Sequence, residues 1–170
     1  LVEFHKKHYH PSNATFFTFG NVDPAEIQNF INENVLKSFQ PSSETISVKN
    51  ENRITEPKTI TEYYNPMPED ENNHHVVLSW LLGESHNPVE LLESYLVSNI
   101  LLDNSASPLR KTLENTDLGK SLSPLTGLEA DHKELVFAAG LDGGDSNKQL
   151  EVEDLILNCL KNVVSNGISK

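Results

Sequence analysis

Apolar and polar positions alternate along this chain in blocks, and the period of each block assigns it an element. Residues 14–19 are β-branched and aromatic and stop at Gly20, which predicts a strand. Asp23-Pro-Ala-Glu26 then supplies an N-cap, a proline at the first helical position and an acid three residues after the cap. Ile27, Phe30, Ile31, Leu36 and Phe39 continue a single apolar stripe, so a helix is predicted to reach Ser38. Residues 40–56 are polar, with Ile46, Val48 and Ile54 scattered among them, and read as a surface linker or short edge strand. Residues 59–64 regain β character, and the proline- and acid-rich stretch 65–73 is expected to be an exposed loop.

The strongest strand signal is 74–82. Alternation places His74, Val76, Leu78, Trp80 and Leu82 on the better core face, and His75, Val77, Ser79 and Leu81 on the other. Asn87-Pro-Val-Glu90 repeats the cap, proline and acid signal and opens a helix toward Leu102. Ser107-Pro-Leu-Arg110 starts another, with Leu109 and Leu113 inward and Gly119 as its predicted stop. Residues 122–129 and 134–141 are two strands joined as a hairpin through Ala130-Asp-His-Lys133, and a last helix over 148–165 closes at Asn166-Gly167. The order β-α-β-β-α-α-β-β-α places two strands between helical segments, which disfavours a wholly parallel, doubly wound sheet. The expected fold is α+β: a two-layer sandwich with a mostly antiparallel sheet and its helices on one face.

Composition narrows the functional classes. With 170 residues and 36% apolar content the chain can bury one proper core. A membrane span needs about 18 or more successive apolar residues, and no run approaches that, so a soluble domain is expected. The formal charge of −12 argues against nucleic acid, whose phosphates require a basic face, and permits a cationic peptide. The single cysteine, Cys159, excludes a disulfide framework and reads as a buried structural thiol.

Candidate chemistry is sparse. His5, His8 and His10 cluster, but Pro11 breaks the geometry beyond them and a zinc site needs three or four converging ligands. His74 and His75 point to opposite faces of a regular strand, and His86 and His132 fall in turns. Gly140-Leu-Asp-Gly-Gly144 lacks the Lys-Ser/Thr ending of a phosphate loop, and Asp142 and Asp145 would repel an anion. Asp142, Asp145 and Glu151 could gather a weak calcium ion, although a polar turn accounts for them more simply. Glu69-Asp-Glu71 is too local for an opposed acid/base pair, and Cys159 in a helix is a poor nucleophile.

One resemblance spans nearly the whole sequence. His8-Tyr-His-Pro-Ser-Asn-Ala14 with Phe19-Gly-Asn21, Leu101-Leu-Asp-Asn-Ser-Ala-Ser-Pro-Leu-Arg110, Glu114-Asn-Thr-Asp-Leu-Gly119 and Phe137-Ala-Ala-Gly-Leu-Asp-Gly143 occur in family order. Together they resemble the second, non-catalytic domain of the pitrilysin-type (M16) zinc metallopeptidases, nearest the presequence-protease branch. Residues 40–73 match least. The resemblance implies the metallohydrolase fold shared with mitochondrial processing peptidase, repeated within a parent chain to enclose a chamber for short unfolded peptides. It also implies residues 1–13 as the end of an interdomain connection and 14–170 as the domain, a piece of a longer polypeptide.

The family's zinc motif is His-x-x-Glu-His, whose glutamate activates the bound water. That spacing is absent here: His5-Lys-Lys-His8 has no glutamate and His132-Lys-Glu134 no second histidine. The turn Gly119-Lys-Ser-Leu-Ser-Pro124 also lacks the tyrosine found in the family's later catalytic domain. No catalytic residue and no metal ligand are therefore assigned; zinc is expected in the parent enzyme and no cofactor in this chain. The resemblance implies other domains of the same chain and unfolded peptides as partners, with neither nucleic acid nor membrane. His75 and Ser79 are the candidates to face the substrate chamber, with ordinary solvent-facing positions as the alternative reading. A free-standing interaction or small-ligand module, and a scaffold subunit that lost catalysis, remain alternatives for the chain as a whole. The expected location is bacterial cytoplasm, with a mitochondrial or plastid matrix as the alternative.

Overall fold

The structure, a computed structural model, describes residues 1–44, 46–65 and 74–168. Two compact units divide it, Leu1–Lys49 and Asn50–Lys170.

In the first unit, α1 (Val2–His8) leads into a 3₁₀ turn, Pro11–Asn13, and α2 (Pro24–Asn34) is followed by a second, Leu36–Ser38. The start of α2 is the predicted one: Asp23 Oδ1 accepts from the Ala25 N–H at 2.8 Å, with Pro24 at the first helical position. Residues 14–19 are not a strand. Ala14 is extended, with φ −120° and ψ 146°, yet this unit holds no strand among its described residues, and β structure requires a hydrogen-bonding neighbour.

The second unit carries the sheet. Its strands are β1 (His74–Glu84), β2 (Ser121–Leu122), β3 (Gly127–Glu129) and β4 (Glu134–Gly144), and every pairing is antiparallel. β4 is the spine: β1 pairs along one side of it, while β2 and β3 pair successively along the other. The predicted single strand 122–129 is thus two short ones, split at Ser123-Pro124, because a proline has no N–H for a ladder. Thr126 repairs the gap, its hydroxyl lying 3.2 Å from Gly140 N and 3.3 Å from Gly140 O. Residues 59–64, expected as a strand, join no ladder among the described residues. The expected loop 65–73 lies outside the described residues from position 66 onward.

Three helices cover one face: α3 (Pro88–Leu102), α4 (Pro108–Glu114) and α5 (Gln149–Asn166). Their Leu101, Leu109, Leu113, Val152 and Ile156 close over Phe137, Ala139 and Leu141 of β4. Val76, Leu78, Trp80 and Leu82 of β1 pack against the same core, with Trp80 and Phe137 5.9 Å apart between ring centroids. The face chosen for the core by sequence alternation is the observed one, and the α+β architecture with an antiparallel sheet is as expected. α3 begins at the expected cap, Asn87 Oδ1 accepting from Val89 N at 3.1 Å. α4 ends earlier than predicted, at Glu114, where Asn115 Nδ2 donates to Lys111 O at 2.7 Å. Gly119 serves packing instead, since a Cβ there would lie 2.8 Å from Leu141 Cβ. α5 stops at Gly167, whose φ of +73° suits a residue without a side chain.

Candidate functional site

Register fixes what lies on the sheet face opposite the core. His75 pairs with Asp142, Val77 with Gly140, Ser79 with Ala138 and Leu81 with Val136. On the far side of β4, Ser121 aligns with Asp142, Gly127 with Ala138 and Glu129 with Val136. Paired residues share a face, so the middle of this surface is made of Val77, Gly140, Ser79, Ala138 and Gly127. It is a strip of mostly small side chains, bounded by His75, Asp142 and Ser121 at one end and by Leu81, Val136 and Glu129 at the other.

The two candidate residues share this face but in different circumstances. Ser79 is exposed and makes no hydrogen bond among the described residues. His75 is engaged: its Nδ1 lies 3.1 Å from Asp142 Oδ1, and its ring faces Tyr64 with centroids 5.4 Å apart. The Asp142 contact has ion-pair distance without hydrogen-bond alignment, leaving Oδ1 buried and lacking a donor among the described residues. His75 Nδ1 is the nitrogen that faces it. Sequence reasoning missed this pairing because residues 67 positions apart meet only through the β1–β4 register.

Glu134, which the sequence placed only at the start of a strand, is a buried charge, 7% exposed. Arg53 Nη2 donates to its Oε1 at 2.9 Å and the Glu51 N–H to its Oε2 at 2.6 Å, while Arg53 Nη1 reaches Leu81 O at 3.1 Å. A carboxylate is tolerated in such a place only when paired and hydrogen-bonded. The result is a latch fastening residues 51–53 to one end of the sheet. Beside it, Asn50 hydrogen-bonds Glu84 and holds that carboxyl below its usual range, with His86, Lys133 and Arg53 adding to the effect. The Asn147 N–H does the same for Asp145 at the entry to α5.

Both carboxyls titrate lower in the folded than in the unfolded chain, so their contribution to stability is complete above the ordinary carboxylate range, about pH 4. It is lost as the pH falls through the depressed values. Denaturant midpoints measured from pH 7 to pH 3 should therefore decline at the acid end, and Asn50→Ala should flatten that decline. An acid limb unchanged in the variant would contradict the assignment.

The other candidates disperse. His8 stacks on Phe4, His5 on Tyr9, and His10 Nδ1 accepts from Ser12 N at 3.1 Å, so the three histidines of the first unit are separately occupied. His86 lies 3.2 Å from Glu84. Cys159 is half-buried and accepts from the Thr112 hydroxyl at 3.4 Å between α4 and α5. Among the described residues no three His, Cys, Asp or Glu converge as metal ligands, so the donor set present does not fit zinc. No described helix is long and apolar enough to cross a membrane.

Comparison with known proteins gives these features a context. The chain is 32% identical over its whole length to the mitochondrial presequence protease of Yarrowia lipolytica, covering 18% of that protein. It is 30% identical, again over its whole length, to protein HypA of Clostridium perfringens, covering 18% of it. It is 32% identical over 97% of its length to presequence protease 1, chloroplastic/mitochondrial, of Arabidopsis thaliana, covering 16% of it. The chain thus spans less than a fifth of these relatives, which come from bacteria and from organelle-named eukaryotic proteins. A family described as the peptidase M16 inactive domain matches residues 1–170, and the chain belongs to that family: it is an M16 inactive domain.

Proposed function

We propose that this chain is the non-catalytic part of a zinc-dependent metalloendopeptidase that degrades short unfolded peptides, and that the sheet face opposite its helices lines the chamber holding them. The supporting observation is the pairing of a whole-chain match to an inactive peptidase domain with a sheet whose three described helices pack on the same face. In this reading residues 1–13 end an interdomain connection and 14–170 form the domain. The other domains of the same polypeptide are its partners, and one of them holds the zinc. Ser79, Ala138 and Gly127 present at most small side chains to an extended backbone, Ser79 offering an exposed hydroxyl. Bacterial cytoplasm is the proposed location, with an organelle matrix as the counterpart in eukaryotic relatives. Confinement is the domain's contribution: an enclosed space admits flexible peptides and excludes folded proteins.

Incubated with an unfolded basic peptide, the 170-residue chain should show no cleavage with or without added zinc. The longer polypeptide should cleave the peptide and lose that activity to a chelator. Chelator-sensitive hydrolysis by the 170-residue chain would overturn the non-catalytic assignment, and a metal-free inert longer polypeptide would favour a scaffold that lost catalysis.

A further inference from the structure

α3 is apolar on both of its sides. Ser98 and Leu101 are its buried residues and mark the side turned to the core. At 100° per residue, Val89, Leu92, Leu96 and Ile100 fall on the opposite side. They are exposed by 60%, 59%, 54% and 44%, respectively. A helix covered on one side only would carry polar residues there, and this one buries a serine while exposing two leucines. The stripe extends about 16 Å along the axis, at 1.5 Å per residue. Its steps of three, four and four residues are those of a helix–helix seam.

We infer that this stripe is a docking seam for an apolar-striped helix with basic flanks, supplied by the rest of the longer polypeptide. This rests on the preceding reading that such a polypeptide exists. Two observations select the occupant. The chain accounts for 18% of relatives such as the Yarrowia lipolytica presequence protease, so more than four-fifths of a protein of that length lies outside it. α3 has no lysine or arginine: Glu93 flanks the stripe and Asp103 lies in line with it just past the helix end, while Glu90 is turned away and accepts from the Glu84 N–H at 2.7 Å, so the charged groups bordering the seam are acidic. A second copy fits poorly, since it would bring acidic borders together between chains of charge −12.

Thiol labelling of Leu96→Cys in a Cys159→Ser background tests the seam, in both the 170-residue chain and the longer polypeptide, with sedimentation of each. The expected result is rapid labelling in a monomeric 170-residue chain and labelling at least tenfold slower in the native longer polypeptide. Equal rates in the two would overturn the inference. So would a 170-residue chain that sediments as a dimer with the thiol protected, because a second copy would then be the occupant. If Cys159→Ser weakens folding, Leu92→Glu replaces it: the melting temperature should stay level in the 170-residue chain and fall in the longer polypeptide, and no fall there would overturn the inference. Neither readout uses hydrolysis. An inert longer polypeptide with a protected seam would therefore refute the peptidase reading while leaving the docking seam standing.

Discussion

Ile156→Ala should be among the most damaging single substitutions in this chain, lowering the unfolding free energy by about 2–5 kcal/mol. Ile156 is fully buried on α5, in the cluster that joins α3, α4 and α5 to β4. Truncation removes transfer energy and also leaves a void, because helices anchored by Leu109 and Leu113 cannot close over it completely. For a chain of this size each kcal/mol corresponds to roughly 2–4 °C in melting temperature, so a fall of at least several degrees is expected by calorimetry. Leu92→Ala in the outward stripe of α3 is the control and should cost well under half as much. Equal effects at the two positions would mean that the core has been misplaced.

The second large effect is expected at Gly140. A Cβ built there would stand 2.3 Å from Val76 O and 2.8 Å from Val77 Cα, both backbone atoms of the paired strand. No rotamer change relieves such a clash, so β1 must move away from β4 along the longest ladder of the fold. Gly140→Ala should cost about 3 kcal/mol, the upper end of the overpacking range, and urea denaturation should place its midpoint well below that of the parent. Gly20→Ala offers a contrast of a different kind. It meets nothing within 4 Å, so any penalty there is conformational, from its φ of +133°. If Gly140→Ala were neutral, the close approach of the two strands would be wrong.

The elements that sequence reasoning found are those with local causes. Asp23 and Asn87 announce helix starts because the cap, the following proline and the acid lie within four residues. β1 and its core face were legible because alternation from Val76 to Leu82 is itself the physical cause of burial. Where partners are remote, the reading weakened. Residues 14–19 and 59–64 have strand composition, but composition cannot supply the neighbouring ladder that makes a strand. Gly119 looked like a helix stop and is a contact with Leu141. Alternation puts His75 and Ser79 on the side of β1 away from the core, whereas Asp142 and Glu134 acquire their contacts only through pairing across the sheet.

The central ladder also sets a timetable for the growing chain. Glu84, at the end of β1, pairs with Glu134, where β4 begins, 50 residues later. At translation rates of about 5–20 residues per second, β1 is complete roughly 3–10 s before its partner has begun to emerge. Throughout that interval an eleven-residue strand containing Val-Val-Leu-Ser-Trp-Leu-Leu has no β4 to pair with. Such a segment is what holding chaperones grip and what nascent chains aggregate through. Glu84, the strand's last residue, and Glu90 and Glu93 beyond it are made within the first eleven residues after Leu82, early enough to keep the waiting segment in solution.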